Sequence, residues 1–88
     1  MRVFLLDGAA VEDCEDLHTR LARGLGFPDW YGGTLDALFD CLTDLEEETE
    51  LRVAGREALE ETLGDYARRF FRVLEDAAEE DPRLHVTL

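Results

Sequence analysis

Strand-like and helix-like segments follow one another along this chain in the order β-α-α-β-α-α-β. The strand-like segments are a continuous apolar run at Val3–Leu6 and two stretches, "ELRVAG" and "RLHVTL", that alternate apolar with polar residues. Two helical segments separate each strand from the next, and connections of that length join parallel strands. The order therefore predicts an α/β fold in which a small three-stranded parallel sheet packs against about four helices.

The first strand is predicted to be the central one. Its run Val3–Leu6 contains no polar residue, which is typical of a strand buried on both faces. Right-handed crossovers would then place the other two strands on either side of it. The alternation in "ELRVAG" predicts a half-buried edge strand.

Capping residues set the predicted helix boundaries. The first helix is expected over Asp13–Arg23, followed by glycines that can end it. Thr34 can cap a second helix, and Asp65 is predicted to cap a fourth helix that stops before Asp81-Pro82. The predicted buried face of the second helix consists of Leu35, Leu38, Leu42 and Leu45.

Length and charge limit both the architecture and the partners. A chain of 88 residues is too short for two separate cores, so residues 1–88 are predicted to form one domain. It has 22 acidic residues against 9 arginines, no lysine, and a net charge of −13. Such a charge attracts cationic partners and repels nucleic acid and anionic membranes, so we expect neither direct nucleic acid binding nor membrane association.

The cysteines and the apolar runs point to a cytoplasmic protein. Cys14 and Cys41 have no His or Cys at metal-ligand spacing and are expected to be reduced thiols. No apolar run approaches the length of a membrane span or a signal-peptide core. We therefore predict no metal site and no cofactor.

Three aspartates form a stripe along the predicted second helix. With Leu35 at zero and about 100° per residue, Asp36, Asp40 and Asp44 lie at about 100°, 140° and 180°, and Phe39 near about 40°. One interpretation is a solvated surface, because the helix dipole favours Asp36 in the first turn. The dipole disfavours Asp44 near the other end, however, and no basic residue three or four positions away compensates the stripe. The pattern therefore favours a binding face for a cationic partner.

The loop before this helix contains the sequence "WYGG". Trp30 and Tyr31 are aromatics with a polar edge, a type that often anchors interfaces, and Gly32 allows close backbone approach. We expect one ring to cover the core and the other to stay exposed.

Other candidate chemistry is weak. The pair Asp36 and Asp40 could act as catalytic acids, but no nucleophile, metal spacing or pocket motif accompanies them. His18 is expected to be a packing or surface residue. Arg72 and Asp76 lie four apart on the fourth helix and are predicted to form a surface ion pair.

The segment "FPDWYGGTLDALFDCLTDL" closely resembles the central segment of the barstar family, the intracellular inhibitors of the secreted ribonuclease barnase. The element order, the length, the acidic charge and the ending "RVLEDAAEEDPRLHVTL" fit the same family, so the resemblance covers essentially the whole chain.

The resemblance implies a mechanism of inhibition. Family members lay the second helix and its preceding loop across the nuclease active site, where an aspartate takes the place of the RNA phosphate. Asp40 matches that aspartate, and Asp36 matches a second acidic contact. Trp30 stands where barstar has Tyr, Phe39 where it has Trp, and Asp76 where it has an interface Glu. The predicted partner-binding set is Trp30, Tyr31, Gly32, Thr34, Leu35, Asp36, Phe39, Asp40, Asp44 and Asp76.

The sequence therefore predicts a non-enzymatic ribonuclease inhibitor with no catalytic residues. Its target is expected to be a basic, barnase-like ribonuclease, which could be a secreted one. The inhibitor itself is expected to be a cytoplasmic monomer. The main alternative is an acidic interaction module of the same fold that binds another basic protein. A more distant alternative is an enzyme that uses the paired aspartates.

Overall fold

Three parallel strands form one sheet, and four α-helices pack against it, as the periodicity predicts. The computed structural model describes residues 1–88. A short 3-10 helix follows the first strand at Gly8–Ala10. The elements are β1 (Arg2–Asp7), α1 (Cys14–Leu25), α2 (Leu35–Leu42), β2 (Thr49–Ala54), α3 (Arg56–Leu63), α4 (Asp65–Glu80) and β3 (Leu84–Thr87).

The strand order is β1-β2-β3, so the prediction that the first strand is central was wrong. In the observed register Phe4 pairs with Leu51, and Leu51 pairs with Val86 on the other side. Two successive right-handed crossovers in the same direction place their helices on the same face of the sheet. The other face is left open, and there Val3 is 56% and Leu5 is 60% exposed. The apolar run of β1 therefore reflects a half-exposed edge strand.

One hydrophobic core lies between the sheet and the helices. Leucines at helical spacing on α1 and α2 share this core with the aromatic face of α4, and each fully buried leucine contributes about 1.5–3 kcal/mol. The fully buried helix residues include Leu17, Leu21, Leu38, Leu42, Phe70 and Leu74.

Local signals explain how α1 begins and ends. The Asp13 carboxylate accepts a hydrogen bond from the backbone N–H of Asp16 at 2.7 Å, as expected of an N-cap. The helix continues two residues beyond the predicted end at Arg23. It closes at Gly26, whose left-handed backbone (φ 68°) favours glycine.

Candidate functional site

Helix α2 presents one face to the core and the other to solvent. The Thr34 hydroxyl accepts a hydrogen bond from the N–H of Ala37 at 3.1 Å, so the predicted cap is present. Leu38 and Leu42 are fully buried, whereas Asp36 and Asp40 are exposed. Burial of the leucines thus fixes the direction in which the carboxylates point.

The helix is shorter than predicted. It ends at Leu42, and the N–H of Thr43 donates to the carbonyl of Phe39 as a C-cap. Asp44 and Leu45 therefore follow the helix, although the sequence pattern placed them on it. The negative end of the helix dipole disfavours a further carboxylate in the last turn, which agrees with this ending.

Trp30, Asp40 and Asp44 nevertheless line one groove at this end of α2. Trp30 is 79% exposed, and none of the three stripe aspartates forms an ion pair within the protein. The ion pairs of the structure are Arg2–Glu47, Arg20–Asp16, Arg52–Glu50, Arg56–Glu60, Arg68–Asp65 and His85–Glu48. Arg2 also lines the groove but pairs with Glu47, so the groove combines an exposed aromatic ring with aspartates that form no ion pair.

The two aromatics of the loop behave differently, as predicted. Tyr31 is half-buried, and its ring lies 4.9 Å from the ring of Phe27 between centroids. Tyr31 therefore anchors the loop, and the ring of the adjacent Trp30 remains exposed. Gly32 is exposed next to Tyr31.

A histidine bridge, which no sequence pattern predicts, fixes this loop. His18 on α1 is only 4% exposed. Its Nδ1 lies 2.6 Å from the Tyr31 hydroxyl, and its Nε2 lies 2.6 Å from the Tyr66 hydroxyl. A neutral imidazole has one N–H donor and one acceptor, so one hydroxyl accepts and the other donates. The bridge joins α1, the loop and the start of α4.

All three groups of the bridge favour their neutral forms. Burial lowers the pKa of His18 below its ordinary value of 6.5. Burial likewise raises the pKa values of the Tyr31 and Tyr66 hydroxyls. A charge on any of them would lose hydration, and for Tyr66 this cost outweighs the opposing effect of the nearby Arg69 guanidinium.

This bridge predicts a loss of stability on acidification. The unfolded chain binds a proton at His18 more readily than the folded protein does, so stability is complete above about pH 6.5 and falls as the pH drops toward the lower folded pKa. Urea unfolding between pH 7.5 and 5.5 should show this fall. His85→Gln should retain it, because His85 is exposed. His18→Gln should flatten it, and an unchanged fall in that variant would contradict the assignment.

A second hollow lies at the N-terminal end of α2. Asp36 lines it together with Arg69, Arg72 and Asp76 of α4. Thr34, Leu35, Gly33, Tyr66 and Val73 complete this lining. The predicted ion pair between Arg72 and Asp76 was wrong, since it is absent from the ion pairs of the structure. Both side chains are exposed, and water competes well for such charges.

The predicted site residues thus divide between two hollows, one at each end of α2. Trp30, Asp40 and Asp44 line the first, whereas Asp36 and Asp76 line the second along with Thr34 and Leu35. Tyr31, Gly32 and Phe39 line neither hollow, and Phe39 is half-buried against the core.

The remaining reactive groups carry no sign of catalysis. Cys14 and Cys41 are free thiols. Burial, with the carboxylates of Asp40 and Asp44, raises the pKa of the Cys41 thiol and so suppresses its reactive thiolate. No cluster of three metal-ligating side chains occurs. None of the helices combines the length and apolar composition of a membrane span.

Comparison with known proteins relates the chain to one protein family. A family model described as "Barstar (barnase inhibitor)" matches residues 1–88. A Bacillus subtilis (strain 168) protein named "Putative ribonuclease inhibitor YrdF" is 41% identical over 81 residues, which cover 91% of this chain and 89% of that protein.

Proposed function

This chain belongs to the barstar family, and we propose that it inhibits a ribonuclease by covering the basic active site of that enzyme with α2 and the loop before it. The family comprises inhibitors, which confirms the prediction that the chain is not an enzyme. The observation that carries the proposal is the groove in which exposed Trp30 lies with the unpaired carboxylates of Asp40 and Asp44.

Asp40 is the proposed mimic of the RNA phosphate. A ribonuclease must hold phosphate and stabilise the negative charge that develops on it, so its active site is basic. Asp40 is exposed on the last turns of a capped helix and lines the groove that Trp30 also lines. A carboxylate on a folded helix complements a basic site without the entropy cost of ordering a flexible ligand.

The unpaired carboxylates also favour binding of a basic ribonuclease. Asp36 and Asp40 are one turn apart on α2 and repel each other by a few tenths of a kcal/mol. A basic partner relieves this repulsion as it binds. The net charge of −13 steers a cationic enzyme toward the inhibitor and should make association slow as salt is added.

Trp30 is the proposed apolar anchor of the interface. Its neighbour Tyr31 is fixed by His18, so the ring is presented on an anchored loop. Burying it against the enzyme would remove an exposed aromatic surface from water at low ordering cost. Asp76 and Asp36 would contribute at the other end of α2.

The protein is further proposed to act as a cytoplasmic monomer. Two free thiols are typical of a reducing compartment. The strong negative charge opposes self-association.

The test is a titration of this protein against a panel of barnase-like ribonucleases, including barnase, in an RNA-cleavage assay. We expect stoichiometric inhibition of at least one enzyme. An electrophoretic shift assay with RNA alone serves as the control and should show no binding by the inhibitor. A panel without any inhibition would contradict the proposal and favour an acidic module that binds some other basic protein.

A further inference from the structure

The hollow at the N-terminal end of α2 carries charges of both signs. Arg69 and Arg72 line it on the α4 side, and Asp36 and Asp76 lie in the same hollow. Five of the nine arginines form ion pairs within the protein, but Arg69 and Arg72 do not. Arg69 and Arg72 are the two arginines without a carboxylate partner that line the same hollow.

Arg69 is held in place while its hydrogen-bond donors stay free. Its guanidinium lies 5.4 Å from the centroid of the Tyr66 ring, a cation–π arrangement. Tyr66 is fixed in turn by its hydroxyl contact with His18. Arg72 follows three positions later on the same helix face and is exposed. The two guanidiniums therefore form a positive patch at the edge of the acidic face.

We propose that Arg69 and Arg72 receive an acidic side chain of the target ribonuclease, so that this hollow selects among basic nucleases. The inference rests on the proposed function. A uniformly basic enzyme surface would be attracted by Asp36 and Asp76 but repelled by the two guanidiniums. An enzyme with a carboxylate at the rim of its active site would pair with the arginines while its basic groups meet the aspartates, which satisfies both signs of charge.

The double substitution Arg69→Gln and Arg72→Gln distinguishes a specific arginine–carboxylate contact from general electrostatic attraction between the two proteins. It makes the inhibitor two charges more negative, so steering alone predicts faster and tighter binding to a basic enzyme. The proposed contact predicts the opposite, weaker binding, with a dissociation constant larger by on the order of tenfold. Binding is measured with every enzyme of the panel that the wild-type protein inhibits.

Arg68→Gln is the matched control. Arg68 lies on the same helix, its side chain is 77% exposed, and it does not line the hollow. Its loss should leave affinity unchanged or slightly improved. Thermal melts should show all variants folded, because these side chains are exposed.

Charge exchange completes the test. Arg69→Glu with Arg72→Glu should be rescued by changing one rim carboxylate of the enzyme to lysine, which identifies the partner group. Equal or tighter binding by the double Gln variant would overturn the inference while wild-type inhibition still supports the proposed function. Absence of inhibition by the wild-type protein would overturn both.

Discussion

Asp40→Ala should weaken binding of the target ribonuclease by about 2–5 kcal/mol, because it leaves basic groups of the enzyme buried without their carboxylate partner. The free protein should be as stable as the wild type or slightly more stable, since one repulsion on α2 is removed. Dissociation constants and thermal melts of the free protein measure the two effects. A marked loss of stability would make Asp40 a structural residue and contradict its assigned role.

Asp44→Ala is the matched control for that substitution. Asp44 lines the same groove but follows the end of the helix. We expect a smaller loss of affinity than for Asp40→Ala, caused mainly by slower association and seen mainly at low salt. Equal small losses in both variants would mean that the carboxylates act only as a diffuse field. Both substitutions should lower the pKa of the Cys41 thiol, which reports on the groove without any partner.

Trp30→Ala should weaken the same complex by about 2 kcal/mol or more, as expected for a central aromatic anchor. Because Trp30 is 79% exposed, its removal should leave the free energy of unfolding nearly unchanged. Isothermal titration calorimetry of the complex, with urea unfolding of the free protein, measures both quantities.

Two conservative substitutions sharpen that experiment. Trp30→Phe should retain much of the affinity, because it keeps an aromatic ring at the tip of the loop. Tyr31→Phe should instead cost about 1 kcal/mol of stability, since it removes the hydroxyl that contacts His18. Full affinity in Trp30→Ala would place the ring outside the interface.

The parts of the fold that follow from local rules could be predicted from the sequence. The N-caps at Asp13 and Thr34 are present because a short polar side chain satisfies free N–H groups within a few residues. The spacing of Leu38 and Leu42 fixed which face of α2 is buried, and with it the exposure of Asp36 and Asp40.

Features that depend on distant contacts could not be predicted in this way. The strand order depends on which face both crossovers take, and the composition of Val3–Leu6 does not report that choice. The His18 bridge joins residues 13 and 48 positions apart in sequence. The missing Arg72–Asp76 pair shows that spacing on an exposed helix allows a contact without stabilising it enough to form.

The most direct measurement of the central claim is the mode of inhibition of a ribonuclease from the panel. If α2 occupies the phosphate-binding site, inhibition is competitive, and the apparent inhibition constant rises linearly with the concentration of an RNA dinucleotide substrate. Inorganic phosphate should likewise slow association of the inhibitor at constant ionic strength. An inhibition constant that does not change with substrate concentration would contradict the account.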